Sequence, residues 1–172
     1  MGEEKYMTII DSKKDILLMN LGDNKIINDL FWKIQKETKC NYLTYMIENN
    51  NIKVYFSSYQ DWQDVFLKES LINICPIYRY AFEAIENDKN HVFTLWDNVI
   101  HKKGEEADLM DLRMSYNIGH GLGLAIKEQN FRESFVIAGE VKDKDFGFKI
   151  SKSKKIIDDS LKVFRSTIKS KM

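Results

Sequence analysis

The chain has 172 residues with 26 basic and 26 acidic side chains, so its formal net charge is zero. That length fits a single domain burying about 70% of its unfolded surface, and 44% hydrophobic with 30% charged residues excludes wholesale disorder. The neutral balance removes any bulk drive toward nucleic acid, and the longest apolar runs, such as Ile16-Leu17-Leu18-Met19, fall far short of the roughly 20 residues that span a bilayer.

Met1-Gly2-Glu3-Glu4-Lys5-Tyr6 is too acidic for a signal peptide, and Tyr6 stands where myristoylation wants Ser or Thr. Two cysteines, Cys40 and Cys75, make no disulfide framework. Both features predict a soluble protein of the reducing cytoplasm, outside the membrane.

In chain order, Asn24 to Lys39 repeats Ile27, Leu30, Phe31 and Ile34 at helical spacing. From Cys40 the period becomes two. Tyr42, Thr44, Met46 and Glu48 alternate with Leu43, Tyr45 and Ile47, Asn49-Asn50-Asn51 makes a turn, and Ile52, Val54 and Phe56 resume the alternation, which predicts a β-hairpin. Gln60 to Ser70 reads as a helix presenting Trp62, Val65, Phe66 and Leu67. Pro76, the chain's single proline, sits where a helix accepts its first residue, ahead of Ile77 to Glu86.

Phe93 to Trp96 reads as a short buried strand. Gly104 to Tyr116 is a helix with Glu105, Glu106 and Asp108 at its start, as the macrodipole favours. A glycine-rich turn then leads into a strand through Ile126, and Glu133 to Val141 is its partner. Ser151 to Met172 is a last helix with Ile157, Leu161, Phe164 and Ile168 in one stripe. This order predicts an α/β (α+β) fold, an α-β-α sandwich around a central five-stranded antiparallel sheet.

Gly119-His120-Gly121-Leu122-Gly123 is no dinucleotide fingerprint: its spacing is G-x-G-x-G and it runs from helix into strand. A helix cap followed by close backbone approach accounts for it. His91, His101 and His120 have no metal-ligand spacing, so no metal is expected. Cys75 with His120 as nucleophile and base lacks a third group, so no catalytic site is expected, and a buried cysteine acting as a small hydrophobe is the simpler reading. Trp62, Phe66, Phe82, Phe93 and Trp96 are either core or the wall of an apolar cavity. Lys149, Lys152, Lys154, Lys155, Lys162, Arg165, Lys169 and Lys171 stand against Asp158 and Asp159 at the C-terminus; the run reads as a solvated face and carries no DNA-binding motif.

Trp62, then Phe66 after three residues, then Cys75-Pro76 after eight, then Trp96, then Tyr116-Asn117-Ile118-Gly119-His120-Gly121-Leu122 resembles the autoinducer-binding domain of LuxR-type quorum-sensing regulators. There the run is Trp, three residues, Tyr, eight residues, Asp-Pro, a later Trp, and a segment like Phe-Gly-Ile-x-Ser-Gly-Ile-Thr-x-Pro. The resemblance spans nearly the whole chain, residues 1–172 as one domain, and the order of elements agrees with that family's sheet between helical layers.

The resemblance implies a non-enzymatic sensor in transcriptional regulation that binds a small apolar or acyl-chain signal and uses no cofactor. Trp62 matches the tryptophan that donates its indole N–H to a lactone carbonyl, Trp96 the second aromatic wall, and Gly121 the glycine that lets the strand pass close by; Phe93 joins the candidate ligand-binding residues as an aromatic of the same region. Ser58 falls where a tyrosine reaches the ligand amide carbonyl, with Tyr59 adjacent. Phe66 keeps a ring without the hydroxyl, Cys75 replaces the Asp that accepts the amide N–H, and Ile137 falls where a Ser or Thr orients the head group. A hydrogen bond to a charged group contributes roughly 1.5–3 kcal/mol, so loss of the Asp alone predicts a standard acyl-homoserine lactone bound one or more orders of magnitude more weakly.

The family follows this domain with a helix-turn-helix module of about 60 residues. The sequence ends at Met172, within or just after the final helix, so it is either the sensor domain of a longer regulator or a protein that lacks the module, and this chain itself is not expected to contact DNA. The implied partners are a second copy, or a full-length LuxR-type regulator inhibited by pairing, through the stripe of the 151–172 helix. The alternative is a protein–protein module whose pocket has filled with side chains. A cavity of several hundred Å³ favours the sensor and a packed interior the module.

Overall fold

The computed structural model describes residues 7–11, 14–18, 25–49, 52–86, 90–129 and 131–169. The predicted hairpin is β3 (Tyr42–Asn49) and β4 (Ile52–Ser57), paired antiparallel from Thr44 opposite Ser57 to Asn49 opposite Ile52; of its turn, Asn50 and Asn51 lie outside the described residues. The later strands are β5 (His91–Leu95), β6 (Gly121–Glu128) and β7 (Phe131–Ala138). β3 pairs with β7, β7 with β6 and β6 with β5, all antiparallel. These five strands form the expected antiparallel sheet.

Two strands absent from the sequence reading extend it. β1 (Met7–Asp11) and β2 (Lys14–Leu18) form an antiparallel hairpin, and β2 joins β4 in parallel. The full order is β1-β2-β4-β3-β7-β6-β5.

Helices cover both faces of the sheet, and alternation sorts the side chains between them. Leu43, Tyr45, Ile47, Phe135 and Ile137 pack with Ile27, Phe31 and Ile34 of α1 (Lys25–Thr38), Phe146 and Ile150 of α5 (Phe146–Ser151), and Ile157, Leu161 and Phe164 of α6 (Lys154–Lys169). Tyr42, Met46, Tyr55, Ala125 and Ala138 face the other way. They meet Trp62 and Phe66 of α2 (Gln60–Lys68), the 3-10 turn Leu71–Ile74, Ala81 and Phe82 of α3 (Pro76–Glu86), and Leu109 of α4 (Glu105–Ser115). β3 and β4 are apolar on both sides because both sides are covered.

Three details differ from the sequence reading. The helix expected from Ser151 begins at Lys154, where the Ser153 main-chain carbonyl accepts the Ile157 N–H at 3.4 Å, and a separate short helix, α5, precedes it. The stripe expected to form a dimer is consumed within the chain, since Ile157, Leu161 and Phe164 are all buried against the sheet and α1; the Ile168 side chain lies outside the description. The left-handed residue after α4 is Asn117 (φ 59°) rather than a glycine. Its side-chain carbonyl accepts from the Val141 N–H at 3.2 Å, which fixes the entry into β6.

Candidate functional site

Between the sheet and the α2–α4 layer lies a cavity of about 70 Å³. Its sheet wall comes from Tyr42, Thr44 and Met46 of β3, Tyr55 of β4, Gly123 and Ala125 of β6, and Ser134 and Val136 of β7. Its helical wall includes Gln63 and Phe66 of α2, Cys75, Ile77, Tyr78, Ala81 and Phe82 at and within α3, and Arg113 of α4; Trp96, opening the 3-10 turn Trp96–Asn98, closes one end. Arg79 of α3 places Nε 2.9 Å and Nη2 3.1 Å from the two carboxylate oxygens of Glu106 at the start of α4. That bidentate pair fixes α3 against α4, and so holds Cys75 and Arg113 on one side of the cavity.

Arg113 is the chemical centre of this space. Only 5% of it is exposed. Its guanidinium carbon lies 4.9 Å from the Trp96 ring centroid, 5.5 Å from that of Trp62 and 5.9 Å from that of Phe66. Nη2 donates to Cys75 Sγ at 3.4 Å and Nη1 to Met110 Sδ at 3.3 Å, and both sulfurs are weak acceptors. Arg113 Nε has no acceptor, and neither has the indole N–H of Trp96; the Tyr55 and Thr94 hydroxyls are also buried without a partner, whereas the Trp62 indole acts on the Tyr42 hydroxyl.

The Tyr42 hydroxyl donates to Gln63 Oε1 at 3.4 Å. Burial pushes its pKa up to about 12, with the Arg113 charge opposing the rise. Tyr55 is raised as well, by burial first and then by its tyrosine and cysteine neighbours.

Of the residues expected at a ligand, Phe66, Cys75 and Trp96 line the cavity. Trp62 is fully buried behind them, 5.6 Å from Phe66 and 5.2 Å from Tyr116 between ring centroids. Gly121 acts by close approach: a Cβ there would come within 2.8 Å of the Ile137 carbonyl oxygen and 3.0 Å of Trp96, so only glycine lets this ring lie on the strand.

The other four positions point elsewhere. Ser58 Oγ accepts from the Leu43 N–H at 2.8 Å. Tyr59 precedes α2 and packs edge-on against Tyr116 at 5.9 Å. Phe93 is 50% exposed, because strict alternation along β5 turns Val92 and Thr94 inward instead. Ile137 is fully buried on the opposite face of the sheet, among the α1 and α6 contacts.

Tyr55, Arg113 and Ser134 occupy the cavity and were missed. Arg113 had a signal, since it falls four residues after Leu109 on the buried stripe of α4. Tyr55 and Ser134 had none beyond strand parity, which says nothing until both faces are known to be covered.

His120 Nδ1 is 2.6 Å from Asp97 Oδ1 at the surface, and it is not among the residues that line the cavity with Cys75. Among the described residues, no group of three or more His, Cys, Asp or Glu converges on a metal-sized point. No helix among them is long and apolar enough to cross a membrane.

Against solved structures the architecture is matched three ways. SdiA of Escherichia coli superposes with a TM-score of 0.55 and 11% identity over 81% of this chain and 61% of that one. SdiA in complex with octanoyl-rac-glycerol gives 0.53 and 10%, covering 82% and 60%. CepR2 of Burkholderia cenocepacia, an N-acylhomoserine-lactone-dependent LuxR-family transcription factor, gives 0.54 and 10% over 84% of this chain and 94% of that one. The fold is the one seen in SdiA and in the LuxR-family factor CepR2. This chain spans about three fifths of the length of the SdiA structures. No protein-family model matches the sequence, and no curated protein matches it. The likeness resides in the fold and a handful of positions.

Proposed function

We propose that this protein is a LuxR-type small-molecule sensor domain acting in transcriptional regulation in the cytoplasm, with its ligand held between the sheet and the α2–α4 layer. The observation that carries this reading is the set of unsatisfied polar groups lining the cavity: the Trp96 indole, Arg113 Nε and the Tyr55 hydroxyl. Buried polar groups are ordinarily paired, and each left unmade costs about 1–3 kcal/mol. A wall that carries several such groups is built to receive an acceptor.

The volume favours a specific version of this idea. About 70 Å³ is several times smaller than the roughly 300–1,000 Å³ of ordinary ligand pockets. A ligand of signal size therefore enters by parting α2, α3 and α4 from the sheet. Occupancy is then linked to the packing of that layer, and binding stabilises the folded, partner-competent state by mass action. Pairing with a second copy or a full-length regulator would use a surface other than the buried stripe of α6.

The small volume is also what the second reading expects, a protein–protein module with a filled pocket. The orphaned donors argue against it, since a pocket filled for packing gains nothing by keeping them. Mass spectrometry of small molecules released from the purified protein separates the two. A stoichiometric co-purifying compound supports the sensor. A protein that carries nothing, and whose melting temperature no candidate ligand raises, supports the module. Isothermal titration with acyl-homoserine lactones is expected to show no sub-micromolar binding, because Cys75 offers no carboxylate to the ligand amide.

A further inference from the structure

Arg113 is a buried cation without a counter-charge. It forms no ion pair among the described residues, and no acidic side chain lines the cavity. The three rings around it contribute cation–π attraction to the faces of the guanidinium, but they leave its edge unsatisfied. Along that edge Nε has no acceptor and Nη2 has only the Cys75 sulfur at 3.4 Å. In arginine these two nitrogens present parallel N–H groups, the fork that matches the two oxygens of a carboxylate. No lysine or second arginine lines the cavity, so the space provides for one negative charge, and a dianion would leave surplus charge in apolar surroundings.

We infer that the ligand of this pocket is a monocarboxylic acid with an apolar tail, its carboxylate seated on the Nε–Nη2 edge of Arg113 beside Trp96. The inference rests on the sensor reading above and specifies the chemical class of its ligand. The carboxylate displaces the weak contact to Cys75, and the Trp96 indole N–H supplies a further donor to its oxygens. The tail runs along Phe66, Met46 and Phe82, where the wall is apolar.

The test uses the intrinsic fluorescence of the pocket. The chain has three tryptophans, and Trp32, on the outer side of α1, is 67% exposed. In a Trp32→Phe background the signal therefore comes from Trp62 and Trp96 alone. Titrations with hexanoate and octanoate are compared with their methyl esters and with N-octanoyl-homoserine lactone. Each acid is expected to bind at least about tenfold more tightly than its ester, the least that one charge-assisted bidentate pair contributes. Arg113→Met should remove that preference by weakening the acid and leaving the ester unchanged, and Arg113→Lys should fall between. Without ligand, Arg113→Met should melt higher than the parent, since it removes an uncompensated buried charge, whereas a purely structural arginine would make it melt lower.

An ester or lactone that binds as tightly as the acid overturns the carboxylate assignment and leaves the sensor reading intact. So does an acid preference that survives in Arg113→Met. If no acid, ester or lactone perturbs Trp62 and Trp96 and nothing co-purifies, the sensor reading fails, and the assignment with it. The acid-to-ester comparison in the parent decides the matter even if Arg113→Met does not fold.

Discussion

The two faces of the sheet follow opposite rules. On the α1–α6 face the Phe164 ring stacks on Tyr45 at 4.8 Å and 7° and meets Phe31 edge-on at 5.2 Å. A polar cluster is closed there as well: Tyr45 donates to Glu133 at 2.5 Å, and Arg165 of α6 closes on the same carboxylate. On the α2–α4 face there is a cavity, a cation and several donors without acceptors. One face spends its side chains on packing and the other leaves interactions open, and that asymmetry is what a ligand site requires of a small domain.

The contrast can be broken hardest at Phe164. Phe164→Ala removes the ring that joins α1, α6 and the sheet and should destabilise the protein by about 3–5 kcal/mol, read from urea unfolding. A loss as small as that of a surface substitution would show that this face is not the rigid one. Glu133→Gln should cost about 2 kcal/mol, because it weakens charge-assisted bonds from Arg165 and Tyr45, moderated by the 29% exposure of the Arg165 side chain. Unchanged stability would mean the carboxylate is not tying α6 to β7.

Alkaline titration probes one buried group from each face. Burial pushes Cys40, on the α1 side, from 9.0 up to about 11, and Tyr42, on the cavity side, from 10.0 up to about 12. The folded protein keeps these protons at pH values where the unfolded chain has lost them, so it binds more protons and stability falls as pH rises. The stability is fully present below pH 9 and falls from there to about 11 for Cys40, and from 10 to about 12 for Tyr42. The slope is at most about 1.4 kcal/mol per pH unit for each group. Cys40→Ala should delay the onset of the decline; a urea midpoint that stays flat through this range would contradict both assignments.

The smallest expected effect has the opposite sign. Thr94 faces the α2–α4 side with its hydroxyl buried and unpaired. Thr94→Val keeps the shape, removes the orphaned group and should stabilise by about 1 kcal/mol. Destabilisation of that size would show that the hydroxyl does have a partner.

Much of the fold was legible along the chain. Ile27, Phe31 and Ile34 mark α1, Pro76 opens α3, and the alternation from Tyr42 to Phe56 marks a hairpin that the structure contains. The Trp62–Phe66–Cys75 spacing and Gly121 fall in the region of the cavity, where the tight approach of Trp96 to a strand leaves a glycine as its trace. What was not legible followed from long-range pairing. Nothing local distinguishes β1 and β2, whose place depends on β4 offering its edge. The stripe on α6 shows that something covers it, and only packing reveals that the cover is the chain's own sheet.

The sequence by itself therefore determined most of the elements, a five-stranded antiparallel sheet with helices on both sides, and the neighbourhood of a cavity, since periodicity and glycine placement are local consequences of burial. Which face each strand residue joins was decided by tertiary structure. A one-residue step along a strand reverses direction, so Phe93 and Ile137 turned away while Tyr55 and Ser134 turned in. Arg113 gained its significance in the same way. A helical arginine is an ordinary residue until the fold buries it among three aromatic rings without a counter-charge.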